Sequence, residues 1–202
     1  RLAIKNNSTQ IGFVQSFSSE YCRNPSESDM NWQVNTLIAY GCKGLWYFCY
    51  RSPRAMRNQG MQDFNSVLDF SAFPVEMKEY SKPAVGFPDG IIGWDDKPTY
   101  LYPIVKKINE EVTALSPILM KLRNIAVRHY GNDNEYGPDL ITIPVGTDAF
   151  SKKYDKYISE IKTVKGKNKG YIVSYFVNDQ NVPYIMIVNK NHGENISRKG
   201  AA

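Results

Sequence analysis

The 202-residue chain has no apolar run near the roughly 18 residues needed to cross a bilayer as a helix, so no membrane span is expected. Its first ten residues, RLAIKNNSTQ, carry neither an initiator Met nor the apolar core of a signal peptide. They read as a processed end or as a cut inside a longer chain. Cysteine is scarce. Cys22, Cys42 and Cys49 are odd in number, and their spacing fits neither a disulfide framework nor a zinc site, so they read as free, buried thiols. Histidine is scarcer still. His129 and His192 are scattered and indicate no Ser-His-Asp or Cys-His set; each reads as a loop or strand residue. No internal repeat or low-complexity tract is present, and no cofactor is expected.

What remains is ordinary globular composition. Hydrophobic residues make up 42% and charged residues 22%, which argues against disorder. The net charge of +5 is unevenly placed. Residues 151–202 hold 10 Lys or Arg against 4 Asp or Glu, while the first 150 hold 15 against 16. Such a basic end could attract nucleic acid or an anionic surface. No nucleic-acid motif accompanies it, and SKKYDKY and VKGKNKG read as solvated loop charges, so nucleic acid is not an expected partner.

Along the chain, IGFVQSF (11–17) reads as a buried strand. Ser26 and Asp29 form a capping box, and Met30, Val34, Leu37 and Ile38 then share one helical face. Gly41 is a natural stop. LWYFCY follows as a continuous apolar run, the pattern of a strand covered on both faces, with Trp46 and Phe48 in the core. Strand, helix, strand with short links predicts a βαβ unit. Residues 52–98 are long, irregular and proline-punctuated. Leu101, Ile104, Val105, Ile108, Val112 and Leu115 predict a second amphipathic helix, which Ser116-Pro117 should end or kink. Trp94 with Asp95 and Asp96 reads as the turn before it. Beyond residue 124 the period changes. NIAVRHY, LITIPV, YISEIKTV, GYIVSYFV and PYIMIVNK predict an antiparallel all-β module, with NDQN as a hairpin loop. Two domains are expected, 1–123 and 124–202.

The segment QVNTLIAYGCKGLWYFCYRSP resembles the last barrel strand and preceding helix of clan A glycoside hydrolases, closest to family 42 β-galactosidases. The small residues Ala39, Gly41 and Gly44 lead into Tyr47, Phe48, Tyr50 and Arg51, as in that family. GIIGWDDKPTYLYPIVKKINEEVTALSPILMKL is similar to the turn and final helix of the same barrel, and NVPYIMIVNKN to a strand of the β-domain that follows. The resemblance covers residues 11–123 by motif and 124–191 by pattern only.

What the resemblance implies is an α/β then all-β fold: the C-terminal segment of a (β/α)8 TIM barrel followed by an antiparallel β-sandwich-like domain. It implies hydrolysis of glycosidic bonds by two carboxylates in a full-length parent, and a chain inactive by itself. The nucleophile position falls on Gln15, whose amide cannot form a glycosyl ester, so Glu20 on the following loop is the candidate catalytic carboxylate. Gln15, Tyr50 and Arg51 are candidate substrate-binding residues. Tyr50 would stack on a sugar face, and Arg51 would donate to hydroxyls. The implied partner is an oligo- or polysaccharide, and the implied compartment is extracytoplasmic, periplasmic or secreted. The alternative is a non-catalytic carbohydrate-binding or accessory protein. Residue patterns give no oligomeric state.

Overall fold

The computed structural model describes residues 9–17, 24–51, 90–93, 96–130, 147–151, 153, 155–161 and 170–193. Two compact units are present. One comprises Arg1–Val14, Ser26–Trp46 and Asn109–Ala202, the other Gln15–Pro25 and Tyr47–Ile108. The content is mixed α/β, with a two-stranded and a four-stranded sheet, and no barrel closes among the described residues.

Strand β1 (Ile11–Gln15) leads to helix α1 (Glu27–Ala39) and then to strand β2 (Gly44–Phe48), which pairs with β1. At one end of the pair Lys43 N donates to Gln10 O (2.9 Å), and at the other Ser16 N donates to Phe48 O (2.8 Å). Both strands therefore run the same way, and α1 is the crossover that a parallel pair requires. Helix α1 starts where the sequence places its cap. Ser26 N donates to Asp29 Oδ2 (2.8 Å) and Asp29 N to Ser26 Oγ (3.2 Å), satisfying donors that the first turn leaves open. Gly41 ends it at φ +87°, a conformation that a side chain resists.

The even-numbered face of β1 packs against α1. Val14 is fully buried, and a Cβ on Gly12 would meet the Leu37 side chain at 2.5 Å, so only glycine allows this approach without a shift of Leu37. The opposite face is open. Ile11, Phe13 and Trp46 are 53%, 64% and 60% exposed, with Phe13 and Trp46 edge to face at 5.5 Å. Phe48 is also exposed. The expectation that Trp46 and Phe48 lie in a core is corrected: no described element covers this side of the pair.

Helix α2 (Leu101–Leu119) buries Leu101, Val105 and Ile108, while Leu115 and Ile118 stay exposed. The helix runs past Pro117 to Leu119, so Pro117 does not end it. A proline in a helix orphans the carbonyl four residues earlier, here Thr113 O. Ser116 Oγ donates to that carbonyl at 2.8 Å and makes good the missing bond. At the helix end, Lys43 Nζ donates to Leu119 O and to Leu122 O (2.6 Å).

The second sheet has the order β4-β3-β5-β6: β3 (Arg123–Tyr130), β4 (Asp148–Ala149), β5 (Tyr171–Val177) and β6 (Pro183–Asn189). β3, β5 and β6 are antiparallel neighbours; β4 joins β3 in parallel. Asn178–Val182 forms the hairpin turn predicted by NDQN, with Asn178 Oδ1 accepting from Gln180 N and Val182 N. One face of the sheet packs on α1, where Ala39, Val127, Ile172 and Val188 form a core with Trp32, Tyr40 and Met186 against it. Asn124 Nδ2 donates there to Ala39 O (2.9 Å) and Ser174 Oγ (2.6 Å), tying β3, β5 and the end of α1 together. The expected strand YISEIKTV is not one over its described residues. Asp155 Oδ1 accepts from Tyr157 N (2.9 Å) and Ile158 N (2.7 Å), which turns the chain instead. LITIPV lies outside the described residues.

Candidate functional site

Three of the sequence candidates, Gln15, Tyr50 and Arg51, lie at the end of β1 or just past the end of β2. Gln15 closes β1, half-buried, and its Nε2 donates to Phe17 O (3.0 Å). Next to it Ser16 is fully buried, with Oγ donating to Cys49 O (3.1 Å), so β1 and β2 remain joined beyond the last ladder bond. The Phe48–Cys49 peptide is cis. Phe17 meets Phe48 edge to face at 5.5 Å. Tyr50 then projects with its ring 58% exposed, while its carbonyl accepts from Ile92 N (2.8 Å). Arg51 forms a parallel bridge with Ile92, and its guanidinium pairs with the Asp96 carboxylate. Both charged groups remain open to solvent.

The described residues around Asp96 are bonded to one another. Asp96 sits at φ +63°, and Gly93 N donates to Lys97 O (2.8 Å). Thr99 Oγ1 donates to Gly90 O (2.6 Å) and Ile91 O (3.2 Å), fixing Ile91, which is 1% exposed, beneath it. Burial raises the Tyr47 phenol to about 12 and pushes the Cys49 thiol up as well, opposed by a backbone hydrogen bond. Both groups are thus protonated at neutral pH, and Cys49 is no ready nucleophile.

Chemically, this end of the pair offers an exposed aromatic face, an exposed guanidinium held by one carboxylate, and a side-chain amide. That is a hydrogen-bonding and stacking surface. Glu20 lies outside the described residues, as do Trp94 and Asp95. Asp96 was read in the sequence as turn chemistry alone. Its role as the Arg51 counter-ion was invisible because 45 positions separate them. Among the described residues no group of three or more His, Cys, Asp or Glu could hold a metal ion.

Two further polar clusters lie in the other unit. His192 Nδ1 is 2.8 Å from Asp29 Oδ1, and its ring stacks on Trp32 at 4.2 Å. Ser26 Oγ and Ser28 Oγ donate to Gly193 O (2.7 and 3.0 Å). The Asp29 carboxylate thereby serves both the helix cap and the chain after β6. The second cluster centres on Asp155, whose side chain is wholly buried and accepts from Arg128 (2.5 Å) and from the Tyr175 hydroxyl. Burial drives the Asp155 carboxyl up. The Tyr175 hydroxyl, the Ile158 and Tyr157 amides and the Arg128 charge outweigh it, so the group ends below its ordinary value. Tyr175 is raised in turn, by burial and by its bond to Asp155. Every acceptor in this cluster is matched to a donor within the fold, the pattern of a structural anchor.

No family model, curated protein or solved structure matches the chain.

Proposed function

We propose that this chain is the closing part of a carbohydrate-active (β/α)8 barrel with part of the β-sandwich-like domain that follows it, belonging to a glycoside hydrolase of the β-galactosidase type. The observation that carries the reading is the one-sided β1–α1–β2 unit. Its helix covers one face of a parallel pair, and the other face leaves Ile11, Phe13 and Trp46 bare. A closed barrel fills that inner face with side chains from its remaining strands. Barrel sites form at the C-terminal ends of strands, which is where Gln15, Tyr50 and Arg51 lie.

In this reading Tyr50 is the stacking platform for a sugar ring, and Arg51, oriented by Asp96, donates to its hydroxyls. Gln15 holds a substrate hydroxyl through its amide. Glu20 supplies one of the two carboxylates; the acid/base partner belongs to the parent protein. The chain alone therefore lacks a complete catalytic pair.

Hydrolysis of nitrophenyl β-galactosides tests this. The chain alone should show no turnover, and a parent carrying paired carboxylates should show turnover that Glu20→Gln abolishes. A parent gene without a carboxylate at the fourth-strand position would sink the enzyme reading. The second reading, a non-catalytic carbohydrate-binding or accessory protein, is favoured by the amide at Gln15. Galactoside binding by the parent that weakens on Tyr50→Ala, with no turnover, would select it.

A further inference from the structure

Among the described residues, β6 forms an outer edge of the four-stranded sheet. In the β5–β6 hairpin Asn178 N donates to Val182 O (3.2 Å), and Lys190 N to Gly170 O (2.9 Å). The register between these bonds pairs Tyr184, Met186 and Val188 with Phe176, Ser174 and Ile172. In an antiparallel ladder, alternate residues turn their backbone groups to opposite sides. Even-numbered residues of β6 thus bond β5, and Ile185 and Ile187 direct their N–H and C=O outward. β6 is the last strand of the sheet, so these groups meet no strand among the described residues. The same two side chains are 41% and 59% exposed. Natural edges are guarded by charge, bulges or proline. PYIMIVN carries no charge and a single proline at its start.

We propose that β6 pairs antiparallel with β6 of a second copy of this chain, across a two-fold axis at Met186. The outward-turned backbone groups of Ile185 and Ile187 sit at odd-numbered positions, so the register must match odd to odd. The Met186 axis does this with the two residues whose groups are free: Ile185 of each copy exchanges both hydrogen bonds with Ile187 of the other. It leaves Pro183, which has no N–H, at the margin. Both isoleucines of each copy then meet on one face of a continuous sheet. Charge permits the pairing. Lys190 falls opposite Val182, itself 44% exposed, and its stem lies along that side chain, so no like charges oppose each other. This interface makes no use of Gln15, Glu20, Tyr50 or Arg51 and is tested on the chain as given.

Sedimentation of the whole chain over a concentration series tests the pairing. A reversible dimer is expected in roughly the micromolar to sub-millimolar range, because the contact is small. Ile187→Lys should weaken it by about tenfold or more, as it puts a charge into the apolar seam. Amide exchange supplies the second measurement and decides the matter if that variant does not fold. The Ile185 and Ile187 amides should gain protection as concentration rises, while the Met186 amide, bonded to β5, is protected throughout. A chain monomeric to about 1 mM overturns the proposal, since even weak strand-addition dimers form there. An open-ended assembly, or a dimer in which those two amides exchange freely, overturns it equally.

Discussion

Six consecutive residues of β5, Ile172 to Val177, are buried, whereas in β2 Trp46 and Phe48 stand 60% and 47% exposed. The two strands read alike in sequence: GLWYF and YIVSYFV are both nearly unbroken apolar runs rich in aromatics. Composition states what a strand needs, namely cover on both faces. Whether the chain supplies that cover is a matter of tertiary partners. β5 has them, with α1 on one face and the Asp155 segment against Tyr175 on the other. For β2 and β1 the described residues supply cover on the α1 side only.

The sharpest break of this comparison is a pair of truncations. Phe176→Ala should cost about 3–5 kcal/mol, the usual range for emptying a buried aromatic site. Trp46→Ala should cost only about 1 kcal/mol, mainly its edge-to-face contact with Phe13. Urea unfolding measures both. Equal losses would mean that the β1–β2 face is covered in solution.

Asn124→Ala comes next. It leaves Ala39 O short of a donor and Ser174 Oγ without its amide partner, at about 1–3 kcal/mol by the same measurement. A loss within error would show that water reaches this corner of the sheet.

The Asp155 anchor then sets how β5 responds to pH. Asp155 releases its proton more readily folded than unfolded, so its contribution is intact above the unfolded carboxylate value of about 4 and fades as pH falls through the lower folded value. Tyr175 is raised, so its contribution is intact below about 10, the unfolded phenol value, and is lost as pH climbs through the folded one. Thermal melts of Asp155→Asn should lose stability relative to wild type at neutral pH, and the gap should close on acidification. A gap that is constant with pH would contradict this.

Ser26→Ala should cost about 1 kcal/mol as a lost helix cap. Arg51→Ala should change stability by less than about 1 kcal/mol, because the pair with Asp96 is open to solvent. The same substitution should sharply weaken any sugar binding by the parent. A large stability loss instead would recast Arg51 as a structural residue.

Local features were legible in the sequence. The Ser26–Asp29 box, the Met30–Val34–Ile38 stripe, the Gly41 stop and the Asn178 hairpin turn all act within a few residues of themselves. Misreadings came where distant or neighbouring groups intervened. Pro117 looks like a terminator until the Ser116 hydroxyl is seen to replace its bond. YISEIKTV looks like a strand until Asp155 captures its first amides. Of the candidate site, the strand ends were readable from Tyr50 and Arg51. Asp96 was not identified as the Arg51 counter-charge, because no periodicity links positions 45 apart.

One link has a bearing on when this chain can fold. The α1 cap residue Ser26 bonds Gly193 O across 167 positions, and His192 reaches Asp29 beside it. The helix can form early from its own box, but the contacts that seat its N-terminus do not exist until residues 192 and 193 have been synthesised. Contacts of such long sequence separation close late and slow the search. During translation α1 can therefore dock on β1, which precedes it, while its N-terminus stays unseated until the segment after β6 arrives.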